Sequence, residues 1–431
     1  MSKKEKLSAP RGTYDLHTTD MNLRHNVVNS IFDLCTTFGF EQIQTPIFER
    51  TDLFNRAVGI DTDVVSKEMY NFEDKKGRQM SLRPELTAPI VRSYIENKFY
   101  ATHPIAKFSY FGPAFRYERP QAGRFRQFHQ FGVECFGLKN PSLDAEIITL
   151  AMSVLKVFGI EDKVVLKINT LGSAKERGVY IDALKSHFNN HIDELCEDCQ
   201  TRLDTNPLRV LDCKIDCKKQ FFKDAPLLMD YLEQDTKVYF NKVLDLLEKQ
   251  NINYEVDNLL VRGLDYYNDT VFEIVCDNGK AQNTIIGGGR YDNLVEQLGG
   301  PATPGFGFAL GIERLIDLIK ELNSGIENEY AKSCEIVYMP LCEEAIDMSI
   351  ISMNKLRIEG IRCETSYEVK SLKANFKQAD RLNAVYAIII GEDEIKNDVI
   401  IVKNLQTKEE TKISLSEFED DIIKGDEHEK H

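Results

Sequence analysis

The sequence predicts a multidomain protein with an α+β domain built on an antiparallel sheet, a helical insertion and a separate C-terminal α/β domain. Alternating strand patterns bracket the stretch 172–256, which has charged helical periodicity and little strand signal. The polar run 321–332 indicates a linker, and beyond it short strand and helix patterns alternate, which is typical of an independent module. A chain of 431 residues has room for two or three domains. We therefore expect domains at 1–171 together with 257–325, at 172–256 and at 333–421.

The composition favours a soluble globular protein, with 42% hydrophobic and 29% charged residues. No apolar run reaches the roughly 18 to 20 residues that a spanning helix needs. The basic N-terminus has no apolar segment behind it, so a signal peptide is not expected and the cytoplasm is the predicted location. The net charge of −15 argues against wholesale electrostatic binding of nucleic acid but leaves room for a local basic surface.

The first elements are a helix and a strand, followed by a helix start with ligand-binding potential. Apolar spacing predicts an amphipathic helix over 20–38, and 40–48 alternates like a strand that contains Pro46. Further on, Glu85 and Thr87 flank Leu86 at a strand-to-helix junction, where a carboxylate and a hydroxyl can hold an amino group. The alternative is ordinary helix-start chemistry, because Glu in a first turn complements the helix dipole without a ligand.

A hairpin over 111–137 is the feature around which the first domain is organised. Two alternating arms flank a turn with Pro and Gly, and Phe131 falls on one face of the second arm while Gln130 and Glu134 fall on the other. Fork-shaped donors surround the turn, at Arg116, Arg119, Arg124 and Arg126. Such donors suit phosphate or carboxylate, so we expect the floor of an anion site; the alternative is a surface hairpin with solvated arginines.

Two cysteine pairs lie in the predicted helical insertion, which follows a helix over 142–158 and a strand over 164–169. The pairs are Cys196 with Cys199 and Cys213 with Cys217. Paired cysteines are typical of a structural zinc site, although the segment between these pairs does not resemble a zinc ribbon. Zinc is therefore possible but not favoured, and most of the ten cysteines are expected to be free thiols.

The strand pattern then resumes over 259–275 and contains Arg262 followed by Gly263. Gly weakens a strand, and an Arg in the middle of a strand needs a partner. Residues that are unfavourable for their local structure tend to occur at functional sites, so this pair indicates a site. Three glycines over 287–289 let the backbone approach a ligand closely. A strand over 305–311 then leads into a helix that has Arg314 in its first turn, where the helix dipole disfavours a cation.

The C-terminal domain is predicted to contain strands over 335–339, 362–365, 386–390 and 399–403 and helices over 343–360 and 371–383. Basic residues recur at near-helical spacing along the second helix, at Lys370, Lys373, Lys377 and Arg381. They could meet phosphates, or they could form a solvated face, which is the more common case.

These motifs resemble those of histidyl-tRNA synthetases, a family of class II aminoacyl-tRNA synthetases, over nearly the whole chain. The segment ending at Pro46 resembles the first class II motif, 115–134 the second and 311–314 the third. The runs 262–267 and 287–292 resemble motifs specific to the histidine enzymes, and the last domain resembles their anticodon-binding domain. One departure is Leu86, where many relatives have Gly.

The resemblance implies a class II antiparallel-sheet catalytic domain that ligates L-histidine to tRNA(His) through a histidyl-adenylate, with ATP and Mg²⁺, in a homodimer. It implies Arg116 and Arg262 as catalytic residues. For histidine it implies a pocket formed by Glu85, Leu86, Thr87, Arg116, Gln130, Glu134, Arg262, Tyr266 and Tyr267. For ATP it implies Arg116, Arg124, Gln130, Arg262 and Arg314.

Three other interpretations have to be weighed against this function. A catalytically inactive regulatory subunit of histidine biosynthesis is expected to lack the Arg262 segment and the last domain, and this chain has both. A sensor of uncharged tRNA is expected to lose Arg116 or Arg262, and neither is lost. An unrelated ATP-using ligase does not account for the histidine-specific motifs. His129 is expected to be structural, and Gln121 is a candidate contact to the acceptor end of the tRNA by family analogy.

Overall fold

The computed structural model describes residues 7–60, 62–121, 123–211, 213, 215–276, 284–323, 325–326 and 334–429, with side chains up to 424. The chain divides into two compact units, Met1–Leu16 with Arg24–Asn323 and His17–Leu23 with Ser324–His431. Most of the run 321–332, which we expected to be a linker, lies outside the described residues.

The strands of the first unit are β1 (Glu41–Gln42), β2 (Phe48–Arg50), β3 (Tyr70–Glu73), β4 (Gln79–Leu82), β5 (Ala106–Phe115), β6 (Gln127–Phe136), β7 (Val165–Thr170), β8 (Tyr254–Val256), β9 (Asn268–Val275), β10 (Thr284–Arg290) and β11 (Gly305–Gly311). Within the described ranges they form an eight-stranded sheet in the order β1-β5-β6-β11-β10-β9-β7-β8 and a three-stranded sheet in the order β2-β4-β3. In the large sheet the pairs β1–β5 and β7–β8 are parallel and the other pairs are antiparallel. The predicted antiparallel-sheet domain is therefore present.

The α-helices that begin before residue 323 are α1 (Thr18–Thr37), α2 (Thr51–Ala57), α3 (Thr87–Glu96), α4 (Phe99–Thr102), α5 (Pro141–Val157), α6 (Ala174–Asn189), α7 (Glu197–Thr205), α8 (Gln220–Lys223), α9 (Gln234–Lys249), α10 (Leu294–Gln297) and α11 (Ile312–Leu322). A π-helical turn (Val64–Glu68) and short 3-10 helices (Glu161–Lys163, Ile192–Glu194, Pro207–Val210, Asp216–Lys218 and Leu228–Tyr231) join them. Helices α5 and α11 pack against the central strands of the large sheet.

The hairpin β5–β6 lies next to β11 and has the predicted alternation. Phe131, Val133 and Cys135 are buried on the face that we expected to pack on a core, and the Phe131 ring lies 4.7 Å from that of Phe32 in α1. Gln130 and Glu134 project from the opposite face of β6. This face carries the candidate site.

Two boundaries differ from the sequence prediction. The strand expected over 259–275 begins only at Asn268, because 259–267 forms turns that carry Arg262 over the sheet rather than within it. Strand β8 lies within the range that we assigned to the insertion, yet it pairs with β7. The described helices between β7 and β8 otherwise agree with a helical insertion.

The second unit contains β12 (Ile336–Pro340), α12 (Glu343–Ile358), β13 (Cys363–Thr365), α13 (Leu372–Arg381), β14 (Tyr386–Ile390), α14 (Glu392–Lys396), β15 (Ile400–Asn404), β16 (Glu410–Ile413) and α15 (Leu415–Glu429). In its described part the sheet order is β13-β12-β14-β15-β16. The predicted α/β alternation is therefore present, and the elements α14, β16 and α15 were not predicted. Across the described ranges, no helix combines the length and hydrophobicity that crossing a bilayer requires.

Candidate active site

A cavity of about 740 Å³ opens over the large sheet and brings most of the predicted site residues together. It is lined by nine of the eleven residues implied for histidine and ATP, namely Glu85, Thr87, Arg116, Arg124, Gln130, Arg262, Tyr266, Tyr267 and Arg314. The other two, Leu86 and Glu134, do not line it.

Arg262 is held over the sheet by β9 and β10. Its guanidinium forms an ion pair with Glu273, and its Cζ lies 5.5 Å from the centre of the Tyr267 ring. Burial opposes the positive charge, but the Glu273 carboxylate and the two neighbouring tyrosines raise the pKa of Arg262. The guanidinium lies against Gly287, the register partner of Glu273, where a side chain would collide with it. Among the described residues, the buried Nε of Arg262 has no hydrogen-bond partner, so one donor remains for a ligand.

Glu85 and Gln130 provide acceptors in the lining of the cavity. The Glu85 oxygens accept hydrogen bonds from the backbone N–H groups of Thr87 (2.7 Å) and Ala88 (2.9 Å), so Glu85 has the helix-start role that was our alternative. It is nevertheless buried and lines the cavity, and a carboxylate has further acceptor positions. Burial raises its pKa. The buried Oε1 of Gln130 has no hydrogen-bond partner in the described part of the chain.

Glu134 lies beneath the cavity floor rather than on it. Its Oε1 accepts from the hydroxyls of Thr87 (2.7 Å) and Tyr110 (2.8 Å), and its Oε2 accepts from Tyr291. Burial raises the pKa of Glu134 to about 7, although the three hydroxyl donors oppose this shift. The Glu134 side chain does not line the cavity, because β6 turns it into a buried layer, and its assignment to the histidine pocket stays a prediction. Oε2 accepts only one of these hydroxyls and keeps an acceptor position.

The two tyrosines of the histidine-specific motif form an aromatic wall. Tyr266 and Tyr267 have ring centres 4.6 Å apart, and both are buried. Leu86, in contrast, packs into the hydrophobic core with 2% of its surface exposed. Its side chain does not line the cavity, and its assignment to the histidine pocket stays a prediction.

Three further arginines also line the cavity, at Arg116, Arg124 and Arg314. Arg116 donates from Nε to the carbonyl of Pro84 at 2.9 Å, and Arg124 pairs with Glu118 at 2.9 Å. Arg314 donates to the carbonyls of Gly123 (3.2 Å) and Thr284 (2.8 Å). Burial and then the charges of Arg124 and Arg116 lower the pKa of Arg314. A set of cations that destabilise one another is suited to a multiply charged anion.

The remaining two arginines of the hairpin turn do not line the cavity. Arg126 stacks over the Tyr117 ring with its Cζ 3.9 Å from the ring centre, and Arg119 is exposed. Gln121 is also exposed and forms an isolated β-bridge with Arg124 across the turn.

His129 has a structural environment, as its position in the alternation predicts. Its backbone N–H and its Nδ1 contact the Glu313 carboxylate, at 2.9 Å and 2.8 Å. Burial of Glu313 opposes ionisation, but these hydrogen bonds lower its pKa. The contact ties β6 to α11 directly before Arg314.

Several site residues were not predicted. Glu273 orients Arg262, while Tyr110 and Tyr291 hold Glu134. Glu273 could have been found as the partner that a buried arginine requires, given the strand pattern around it. Tyr110 belongs to β5 and Tyr291 directly follows β10, and no local pattern distinguishes them from core residues.

The helical insertion forms part of the cavity wall through Asp198, Arg202, Arg209 and Ile215. Three of its four clustered cysteines converge, at Cys196, Cys199 and Cys213, and the fourth member of the group is Asp216. Cys217 is exposed and lies outside the group, so the structure does not bring all four candidate cysteines together. The 3-10 turn Asp216–Lys218 directs Asp216 inward and Cys217 outward.

Comparison with known proteins identifies the family. Residues 12–315 match the family described as Histidyl-tRNA synthetase. The chain belongs to the histidyl-tRNA synthetase family. Residues 335–425 match the Anticodon binding domain family, so the predicted class II fold with a C-terminal anticodon-binding domain is confirmed.

Similar proteins cover almost all of the chain. A histidine–tRNA ligase from Bacillus subtilis is 48% identical over 413 residues, which are 95% of this chain and 96% of that protein. The corresponding protein from Clostridioides difficile is 45% identical over 415 residues, covering 96% and 98%. The crystal structure of apo histidyl-tRNA synthetase from S. aureus has a TM-score of 0.82 at 38% identity and covers 97% of this chain and 100% of that one. These matches favour a histidyl-tRNA synthetase over the regulatory alternative.

Proposed function

We propose that this chain ligates L-histidine to the 3′ end of tRNA(His) in two steps, through a histidyl-adenylate, with release of pyrophosphate and then AMP. The observation that carries the proposal is that Arg262 shares one cavity with buried acceptors and tyrosines and with several other arginines. Acceptors and tyrosines suit an amino acid, and arginines suit a nucleoside triphosphate.

Histidine would bind against the acceptors of the cavity. Glu85, Thr87 and Gln130 would hold its α-amino group, since a buried carboxylate, hydroxyl and amide oxygen are all acceptors for an ammonium. The remaining acceptor position on Glu134 and the hydroxyl of Tyr267 would pair with the imidazole nitrogens. Buried polar groups left unpaired by other side chains give strong selectivity, because the wrong amino acid leaves them unsatisfied.

Activation joins two anions, and Arg262 and Arg116 would supply the positive charge. The histidine carboxylate attacks the α-phosphorus of ATP and pyrophosphate leaves, so negative charge develops on the phosphorus oxygens. Fixed cations on both sides lower the repulsion and stabilise the transition state without reorganising. Arg124, Gln130 and Arg314 would hold the rest of the nucleotide.

Mg²⁺ would accompany the triphosphate, and two carboxylates in the cavity fit that cation. Glu68 and Glu118 both line it. Burial and the charge of Glu118 raise the pKa of Glu68, and a divalent cation would offset that repulsion.

Transfer to tRNA would take place in the same cavity, where the terminal adenosine hydroxyl attacks the activated carboxyl carbon and AMP leaves. The exposed residues Lys370, Lys373, Lys377 and Arg381 would contact the anticodon arm, and Gln121 the acceptor end. We also propose a cytoplasmic homodimer, with the dimer contact near the segment that ends at Pro46.

The test is ATP–pyrophosphate exchange with each of the twenty amino acids. We expect exchange with histidine alone and its loss in Arg262→His, because imidazole is shorter than the Arg side chain and cannot replace its fork of donors. Arg119→His is the matched control, since Arg119 is exposed and does not line the cavity. Exchange with no amino acid, or full exchange in Arg262→His, would contradict the proposal.

A further inference from the structure

The helical insertion contains a compact group of metal-binding side chains, which we call the thiol cluster. Its members are Cys196, Cys199, Cys213 and Asp216. One ligand atom from each lies within 4.8 Å of all the others. The spacing is Cys-x-x-Cys followed by Cys-x-x-Asp, so both halves of the cluster have two residues between their ligands. A Cys-x-x-Cys pair is a common half of a structural zinc site.

Two of the distances between ligand atoms of the cluster fit a tetrahedral ion. With zinc–sulfur bonds of about 2.3 Å, two tetrahedral thiolates lie roughly 3.8 Å apart, and a thiolate and a carboxylate oxygen about 3.5 Å apart. The Sγ atoms of Cys196 and Cys213 are 3.7 Å apart. The Sγ of Cys213 is 3.7 Å from Oδ2 of Asp216. A disulfide would need a much shorter sulfur–sulfur distance of about 2 Å.

The surroundings of the cluster resemble the outer contacts of a metal site. The backbone N–H of Asp216 points to the Cys213 sulfur at 3.3 Å, and the N–H of Cys196 donates to Oδ2 of Asp216 at 3.0 Å. Lys219 pairs with the other carboxylate oxygen at 2.7 Å. Such contacts fix the orientation of ligands and offset part of their negative charge.

Burial makes a bound cation favourable here. Asp216 and Cys199 are fully buried, and Cys213 is 4% exposed. A buried carboxylate is costly unless it is paired or coordinates a metal. Three thiolates and a carboxylate carry four negative charges, which a divalent ion and Lys219 reduce to one.

We propose that the helical insertion binds one structural zinc ion through Cys196, Cys199, Cys213 and Asp216. Soft thiolates with one oxygen in a closed tetrahedral set are typical of zinc. The ion joins the start of α7 to the turn that follows Pro207–Val210. It thereby fixes a wall of the substrate cavity, because Asp198 and Ile215 lie beside the ligands and line that cavity.

The segment that contains the thiol cluster is also connected to the part of the cavity wall formed by the π-helical turn Val64–Glu68. Arg209 lies between the two halves of the cluster and pairs with Asp63 at 3.5 Å. Arg202, in α7, approaches the same carboxylate at 3.9 Å. Asp63 directly precedes the π-helical turn Val64–Glu68, which also lines the cavity. Loss of the ion would therefore loosen this wall as well as the insertion.

The experiment measures metal content in the full-length chain, purified without metal-affinity steps from zinc-supplemented cells. Mass spectrometry of the metals should find about one zinc per chain in the wild type. Cys199→Ser and Asp216→Asn should lose most of it. Cys217→Ser is the matched control and should keep it, because Cys217 is exposed and outside the cluster.

Cobalt substitution and proteolysis provide readouts independent of activity. The wild type and Cys217→Ser with Co²⁺ should show thiolate charge-transfer absorption that Cys199→Ser lacks. Asp216→Asn should be cleaved by trypsin near Arg202 and Arg209 faster than Cys217→Ser. A wild type with no zinc or cobalt and with reactive thiols would overturn the proposal. Loss of metal in Cys217→Ser with retention in Asp216→Asn would overturn the ligand set. Neither result depends on whether the chain activates histidine.

Discussion

Gly287 determines where the Arg262 guanidinium can lie, and Gly287→Ala tests the role of that arginine without changing it. An ideal Cβ at position 287 would lie 2.7 Å from both Cζ and Nη1 of Arg262 and closer still to Nη2. Ordinary van der Waals contact begins at 3.4 Å, so the guanidinium has to move by at least 0.7 Å. Its ion pair with Glu273, on the neighbouring strand, prevents a simple sideways shift.

The expected effect is large because Arg262 is proposed to contact both reacting anions. Misplacing a reactive group by about 1 Å can lower the rate about 100-fold, equivalent to roughly 2.7 kcal/mol of transition-state stabilisation. We expect ATP–pyrophosphate exchange with histidine to fall by about that factor in kcat/KM. The fall should be mainly in kcat, because Glu85 and Gln130, which would hold the α-amino group of histidine, are unchanged and histidine should still bind.

Gly178→Ala is the matched control, since a Cβ at this position in α6 meets nothing within 4 Å and Gly178 does not line the cavity. It should keep exchange within about threefold of the wild type. Circular dichroism and thermal unfolding would establish that both variants are folded. Exchange near the wild-type rate in folded Gly287→Ala would refute the reasoning, as would an equal loss in Gly178→Ala.

Two further predictions concern buried charges. The pKa of Glu134 is raised by burial to about 7, so its contribution to stability is greatest at low pH and is lost as pH rises through that value. The side chain in Glu134→Gln does not titrate, so the free energy of unfolding of this variant minus that of the wild type should rise by about 2 kcal/mol from pH 5 to pH 8. Chemical denaturation at the two pH values measures this difference, and the same difference at both would contradict the prediction. Asp144 and Arg290 form an ion pair in which both side chains are fully buried. Asp144→Asn should cost about 3–5 kcal/mol, whereas Glu233→Gln, which breaks an exposed pair with Lys175, should leave the stability nearly unchanged; similar losses by thermal unfolding would contradict the role of burial.

The sequence predicts the site most accurately where a site residue belongs to a local sequence pattern. Alternation along β6 indicates which face holds Gln130, and that residue lies in the cavity. Arg262 was singled out because it breaks strand rules, although the strand itself begins only at Asn268. The unusual position of Arg262 was informative even though the segment around it forms turns and not a strand, because a buried arginine needs a partner in a turn as well as in a strand.

Contacts that join distant segments could not be predicted. Glu134 is bonded by hydroxyls of Thr87, Tyr110 and Tyr291, which lie on three separate elements. The grouping of the cysteines depends on a related detail, since counting Cys residues selects Cys217 and takes no account of the 3-10 turn. The direction of that turn brings Asp216, and not Cys217, to the other three cysteines.

The position of the helical insertion between two paired strands has a consequence for folding. Thr170 of β7 pairs with Thr270 of β9, one hundred positions later in the chain. Bringing such distant segments together costs chain entropy that grows with the length of the intervening loop, and contacts of this kind slow folding. An insertion that collapses first shortens that loop and brings the two strands closer. We therefore expect the rate at which the central sheet assembles to depend on the stability of a module that contributes little of its own chain to that sheet.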